Sequence, residues 1–202
     1  MFTNLKAYID TLEISTISEA RKEVLNPLRD YIASKTSESQ EIHLNFICTH
    51  NSRRSHLGQV WAQVMAAYFN TPDVLTYSGG TEETEVFPKI VETLKNQHLQ
   101  VELVDETKNP VYAVAYSEND AIYLFSKKFD DSSNPEADFA AIMTCSQADE
   151  DCPVITGAEK RFAITYKDPK ASDGTDQQEE TYLERSIQIA TEMKYVFSAK
   201  QG

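Results

Sequence analysis

The sequence predicts an α/β fold, and three observations carry that prediction. Short apolar runs of strand length alternate with stretches whose apolar residues recur at helical spacing. The first of those runs passes through a tight polar loop straight into a helix, the opening of a parallel α/β unit. A chain of 202 residues with 41% hydrophobic content is also long enough to bury a core between sheet and helices.

Ahead of this pattern, residues 1–40 read as a helical extension. Leu5, Tyr8, Ile9 and Leu12 share one helical face. A second set, Ile17, Ala20, Val24, Leu25, Leu28, Tyr31 and Ile32, follows Thr16-x-x-Glu19, a capping-box spacing, and Pro27 within it predicts a kink or restart. Lys35 to Gln40 is a polar linker, and residues 41–202 form the α/β domain. His43 to Ile47 predicts a strand, and Leu57, Val60, Trp61, Val64, Met65 and Tyr68 the buried face of the helix that follows. Val74 to Tyr77 predicts a second strand, Pro88 to Gln97 a helix with proline in its first turn, and Leu99 to Val104 another strand of the parallel scheme. Residues 111–116 and 121–126, joined by Glu118-Asn119-Asp120, predict an antiparallel hairpin inserted at about 110–127. Phe139 to Thr144 and Phe162 to Tyr166 predict further strands. Asp176-x-x-Glu179 caps a last helix whose apolar face is Leu183, Ile187, Ala190, Met193 and Phe197. In such a fold, ligands bind beyond the carboxyl ends of the parallel strands.

Charge narrows the function. Nineteen basic residues against 32 acidic ones leave a net charge of −13, which argues against nucleic-acid and anionic-membrane partners because phosphate binding needs clustered cations. No run approaches the roughly 18 apolar residues of a membrane span, and MFTNLKAYID lacks the basic-then-apolar layout of a secretory signal. The expectation is a cytoplasmic protein. Its three cysteines are then packing residues, metal ligands or catalysts rather than a disulfide framework.

The first strand ends in Cys48-Thr49-His50-Asn51-Ser52-Arg53-Arg54-Ser55, where the helix begins. A thiol at a strand end, followed by a short loop, a guanidinium and a hydroxyl at a helix N-terminus, suits a tetrahedral oxyanion: inward amides and the helix field bind anions and stabilise a thiolate. In this reading Cys48 attacks, Thr49, His50, Asn51, Ser52, Arg53 and Arg54 cradle the oxyanion, and Ser55 donates to the sulfur. Residues 42–72 contain no Asp or Glu although carboxylates make up 32 of 202 positions, which fits an anion site; a buried strand and helix that simply carry few charges is the competing explanation.

Cys48-x5-Arg54-Ser55 between a strand and a helix resembles the phosphate-binding loop of the low-molecular-weight protein tyrosine phosphatases and of the thioredoxin-coupled arsenate reductases built on the same fold. Ser78-Gly79-Gly80-Thr81 is similar to the family's Ser-Ala-Gly-Thr turn, and Lys167-Asp168-Pro169 to its Asp-Pro general-acid loop. The likeness runs from about residue 42 to 169. It implies a flavodoxin-like four-stranded parallel sheet flanked by helices, with Asp168 as general acid. His50 stands where the family has glycine, and Lys170 where the phosphatases place an aromatic residue.

Cys145-x6-Cys152-Pro153 resembles the resolving pair of the reductases, and with Cys48 it accounts for every cysteine in the chain. The resemblance implies reduction of arsenate to arsenite by a relay of Cys48, Cys145 and Cys152, with no bound cofactor or metal and with thioredoxin or a similar dithiol as reductant. Seven residues of helix rise about 10.5 Å, more than the roughly 7 Å between Cα atoms that a disulfide spans, so residues 145–152 must be looped or must unwind on oxidation. The alternatives are a phosphatase acting on phosphomonoesters through a phosphocysteine and a non-catalytic oxyanion binder or thiol sensor. Small core cysteines, a zinc site using His50 and a plain turn role for Asp168 are the corresponding structural readings.

Overall fold

In the computed structural model, which describes residues 1–151 and 154–199, a four-stranded parallel sheet forms the centre of the molecule. Its strands are β1 (Ile42–Cys48), β2 (Val74–Gly80), β6 (Phe139–Met143) and β7 (Ala158–Ala163), in the order β2-β1-β6-β7. The alternation of side chains on β1 and β6 builds two cores. Ile42, Leu44, Phe46, Ala140 and Ile142 face a large apolar cluster on one side. Ile47, Cys48, Phe139, Ala141 and Met143 face a smaller one on the other.

The large core is roofed by helices: α1 (Thr3–Thr11), α2 (Glu19–Ser37), α3 (Arg54–Tyr68), α4 (Pro88–Asn96) and α6 (Gln178–Phe197). Helix α3 packs on β1 and β2 and against α6. Gly58 allows this close approach, because a Cβ there would lie 2.4 Å from the Phe46 ring. The smaller core is covered by the short helix α5 (Ser146–Asp151), which contributes Ala148.

The remaining strands, β3 (Gln100–Asp105), β4 (Val111–Ala115) and β5 (Ala121–Leu124), form a separate antiparallel sheet in the order β3-β4-β5. The expected hairpin is therefore present, but the strand expected at 99–104 joins it rather than the parallel sheet. Its pattern explains the difference. Only Val101 of β3 is buried, whereas a parallel strand inside an α/β sheet is covered on both faces.

Other local expectations are also revised. Helix α2 runs unbroken through Pro27, held by Leu25, Leu28 and Ile32 in the core, and its N-cap is Ser18, whose Oγ accepts from Arg21 N at 3.2 Å. Thr16 instead ends a 3-10 turn, Ile14–Thr16, so the capping-box spacing is incidental. Helix α6 has no side-chain cap from Asp176, and its buried face is centred on Tyr182, Ser186, Ile189, Met193 and Val196. Ile187 is 37% exposed. Strand β7 occupies 158–163, earlier than the apolar run predicts, because as an edge strand it accommodates the polar run Glu159-Lys160-Arg161. Pairing nevertheless continues past its end through Ile164 N to Met143 O and Tyr166 N to Thr144 O, both 3.0 Å. That continuation delivers Asp168 to the same sheet edge as Cys48. No helix among the described residues is long and apolar enough to cross a membrane.

Candidate active site

Cys48 ends β1 and Arg54 begins α3, so the loop between them must reverse direction while settling its own peptide groups. It settles the carbonyls. Cys48 O accepts from Thr81 N (3.1 Å), Thr49 O from Glu82 N (2.8 Å) and Thr81 Oγ1 (3.2 Å), Ser52 O from Phe87 N (3.0 Å) and Arg53 O from Leu57 N (3.2 Å). His50 O accepts from the hydroxyls of Thr84 (2.9 Å) and Ser126 (3.2 Å), and Asn51 O from His56 Nε2 (2.7 Å). Each peptide plane carries its N–H opposite its C=O. Bonding the carbonyls of residues 48–53 to the surrounding shell therefore turns the amides of 49–54 toward the loop's hollow. None of those amides has a partner among the described residues. The result is a ring of unpartnered amides at the start of a 15-residue helix, an arrangement whose dipoles suit an anion.

The turn that closes the loop falls on Asn51, with φ of 44°, not on His50. Asparagine tolerates that left-handed conformation. His50, in the place of the family's glycine, turns its half-exposed ring to Glu82 at 3.5 Å, so the loop accommodates a side chain there. Gly80 is required by crowding: a Cβ would sit 2.5 Å from Glu82 O and 2.7 Å from Asn51 N and Thr49 O. Gly79 has a similar constraint from Phe129, whose Cα would be 2.4 Å away, because residues 127–129 run beside the turn.

The Cys48 thiol is held by an ordered chain of donors. Lys127 N–H donates to Asn51 Oδ1 (2.8 Å), which fixes the amide so that Nδ2 donates to Ser55 Oγ (2.9 Å). With its oxygen already accepting, Ser55 is free to donate its own proton to Cys48 Sγ at 3.1 Å. Ser55 and Asn51 are fully buried, and Cys48 nearly so.

The two arginines do different work. Arg54 donates from Nη1 to Tyr166 O (2.8 Å) and from Nη2 to Asp168 Oδ2 (2.7 Å), bringing the proposed acid against the loop. Asp168 also caps the turn Pro169–Ser172 through Lys170 N at 3.0 Å. Arg53, counted among the oxyanion ligands from sequence, has its guanidinium committed elsewhere. It donates to Tyr182 Oη (2.6 Å) and Asp173 (2.7 Å) and lies 4.0 Å over the Phe87 ring. Only its backbone N–H faces the cradle, and its side chain pins the Asp168 segment to α6.

Cys145 lies two residues past the end of β6, beside the Cys48 end of β1, where the register pairs Ile47 with Met143. Its buried sulfur lies 3.5 Å from Thr49 Oγ1 and 3.4 Å from Ala148 N, in the same small apolar cluster as Cys48. Residues 146–151 are helical here. Cys152 lies outside the described residues. Among the described residues, no group of His, Cys, Asp and Glu is arranged to hold a metal.

One residue that braces the loop carries no signal in the sequence. His56 is wholly buried in the first turn of α3. Asn51 O can only accept, so Nε2 carries the proton and Nδ1 accepts from Ser78 Oγ at 3.2 Å. Burial, reinforced by the charge of Lys127, lowers its pKa to about 3 against the opposing bond to Asn51. A neutral imidazole thus ties the loop to the Ser78 turn. Its spacing, eight residues after Cys48 and 22 before Ser78, carries no motif that sequence inspection would notice.

No protein-family model matches the chain. Among curated proteins, arsenate reductase 2 of Staphylococcus epidermidis is 25% identical over 124 residues, covering 61% of this chain and 76% of the relative. Among solved structures, the YwlE mutant from Bacillus subtilis superposes with a TM-score of 0.53 at 13% identity, over 80% of this chain and all of that one. An arsenate reductase in its phosphate-binding state superposes with a TM-score of 0.50 at 15% identity, over 78% of this chain and 97% of that one. A low-molecular-weight protein tyrosine phosphatase from T. tengcongensis superposes with a TM-score of 0.51 at 17% identity, over 76% of this chain and 95% of that one, so the chain has the low-molecular-weight protein tyrosine phosphatase fold and is distantly similar in sequence to the staphylococcal arsenate reductases.

Proposed function

We propose that this protein reduces arsenate to arsenite through Cys48, Cys145 and Cys152, and that thioredoxin or a similar dithiol regenerates it. One observation carries this reading beyond a phosphatase: a second buried thiol, Cys145, lodged against Thr49 of the oxyanion loop. A phosphatase turning over a phosphocysteine with water has no step for it.

The chemistry follows from the geometry. The amides of 49–54 and Arg54 hold the oxyanion while the Cys48 thiolate attacks arsenic, and a protonated Asp168 gives its proton to the departing oxygen, which leaves as water. To act as acid, Asp168 must first break its ion pair with Arg54, and the incoming oxyanion competes for that same guanidinium. The Cys145 thiolate then attacks Cys48 Sγ. The sulfur–arsenic bond breaks with its electron pair on arsenic, which leaves as arsenite, and a Cys48–Cys145 disulfide forms. Attack by the Cys152 thiolate on Cys145 sulfur releases Cys48 as thiolate and moves the disulfide to the 145–152 pair. Since 146–151 is helical, this last step requires α5 to unwind.

The test is arsenate-dependent NADPH oxidation with thioredoxin and thioredoxin reductase, run beside hydrolysis of p-nitrophenyl phosphate. Cys48→Ser is expected to abolish both reactions. Cys145→Ser and Cys152→Ser are expected to stop multiple-turnover reduction and to spare phosphoester hydrolysis. Absence of arsenate turnover by the wild type overturns the proposal. Robust hydrolysis in its place favours the second reading, a phosphomonoesterase, for which the Asp168–Arg54 contact is the supporting observation.

A further inference from the structure

Between α3, β2 and the β4–β5 hairpin lies a cleft of about 360 Å³ with no part in the chemistry above. Leu75, Tyr77, Tyr116, Ile122, Tyr123 and Phe125 supply most of its wall, and no Asp or Glu lines it. Its one charged residue is Lys127, which is only 4% exposed. The backbone N–H of Lys127 belongs to the Cys48 relay, but its ammonium does not. Nζ stands 4.0 Å over the Phe125 ring, and none of its three hydrogens has an acceptor among the described residues. The nearest carboxylate acting on it, Asp131, is occupied by Ser133, accepting from its N at 2.9 Å and its Oγ at 2.7 Å. Gln59, also lining the cleft and 4% exposed, leaves its buried Oε1 without a donor. A nearly buried cation without a protein acceptor must be met from the cleft, by water or by a ligand that supplies the acceptor. Burial pushes the Lys127 amine down to about 8 against the opposing charge of Asp131, in keeping with that cost.

We propose that this cleft binds a small organic anion, a carboxylate carried on a single aromatic ring, with the carboxylate on the Lys127 ammonium and the ring among Tyr77, Tyr123 and Phe125. The volume lies at the small end of ligand pockets and suits one ring rather than a peptide. An isolated ammonium among aromatic and aliphatic side chains selects an anion with an apolar body over inorganic phosphate, which would leave those walls unused.

The experiment is a benzoate titration of the full-length protein followed by NMR, with benzamide as the neutral analogue and inorganic phosphate as the small anion. Saturable shifts of Lys127 and Phe125 signals with benzoate, absent with benzamide, are expected. Lys127→Met should weaken benzoate binding at least about tenfold, the cost of one charge-assisted hydrogen bond. Tyr123→Ala, at a position 58% exposed and so safe for folding, should weaken it several-fold. Equal binding of benzamide, unchanged binding in Lys127→Met, or no saturable shift with benzoate would each overturn the proposal. Shifts at Lys127 with phosphate that match those with benzoate would overturn the assignment of an apolar body.

Discussion

The buried His56 makes the loop acid-sensitive, and the size of the effect can be worked out. In the folded protein the imidazole stays neutral until about pH 3, because burial and the nearby Lys127 charge oppose a second proton; unfolded, it titrates near 6.5. Between those values the unfolded chain holds the extra proton, so stability falls as the pH falls. The contribution is whole above pH 6.5 and is lost progressively toward pH 3. Linkage puts the loss at about 2 kcal/mol by pH 5 and about 3 kcal/mol by pH 4. Urea denaturation at pH 7.5, 5 and 4 for the wild type and His56→Gln measures it, since the carboxylates titrate alike in both and cancel in the difference. The wild type should lose that much more stability than the variant over the range, although the variant starts lower for want of the Ser78 bond. Parallel pH profiles, or a His56 imidazole seen by NMR to titrate near 6.5, would refute the reasoning.

Gly80→Ala puts a methyl against three backbone atoms of the loop and turn, none of which can rotate away. It should cost about 1–3 kcal/mol and weaken the protection that phosphate gives Cys48 against iodoacetate alkylation. Asp168→Asn removes the carboxylate that competes with the oxyanion for Arg54. The pair is part-exposed, so phosphate should bind only about two- to fivefold tighter by calorimetry, while the rate of the first chemical step falls by about 10² or more. Weaker phosphate binding in Asp168→Asn would mean that the ion pair positions Arg54 rather than occupying it.

Much of this site was legible because its chemistry is local in sequence. Cys48 through Ser55 is one strand end, one loop and one helix start, so the cradle follows from their succession. The Ser78 turn and Asp168 required a resemblance, because only the parallel pairing of β1 with β2 and, by way of β6, with β7 brings them to the loop. The misplaced features have physical causes. Apolar periodicity picked Leu183 and Ile187 for the face of α6, whereas the buried stripe includes Ser186, which accepts from Trp61 Nε1 at 2.9 Å and donates to Gln97 Oε1 at 2.5 Å. Gln97 in turn donates to Tyr8 Oη at 2.7 Å, tying α1 to the domain. A satisfied polar chain of this kind is buried as firmly as leucine, but hydropathy does not register it. Residue type and position in the loop let Arg53 stand with Arg54 among the expected oxyanion ligands. Helix geometry separates them by sending Arg53 toward α6 and Arg54 toward the segment after β7.

The charge pattern needs a spatial reading. Residues 42–72 lack carboxylates in sequence, yet in the fold Asp168, Asp173 and Glu82 approach Arg54, Arg53 and His50 from elsewhere. Both guanidinium groups of the loop are thus already matched, and an oxyanion reaches Arg54 only by displacing Asp168. What remains unmatched is the set of amides at 49–54, with the N-terminus of α3 behind them. Those dipoles act over a few ångströms and are not cancelled by a net −13 spread over the surface, since charges beyond about 8 Å are largely screened at physiological salt. An acidic protein can therefore hold a small dianion while repelling nucleic acid. The former needs only the short-range field of one loop, whereas the latter would have to face the whole surface.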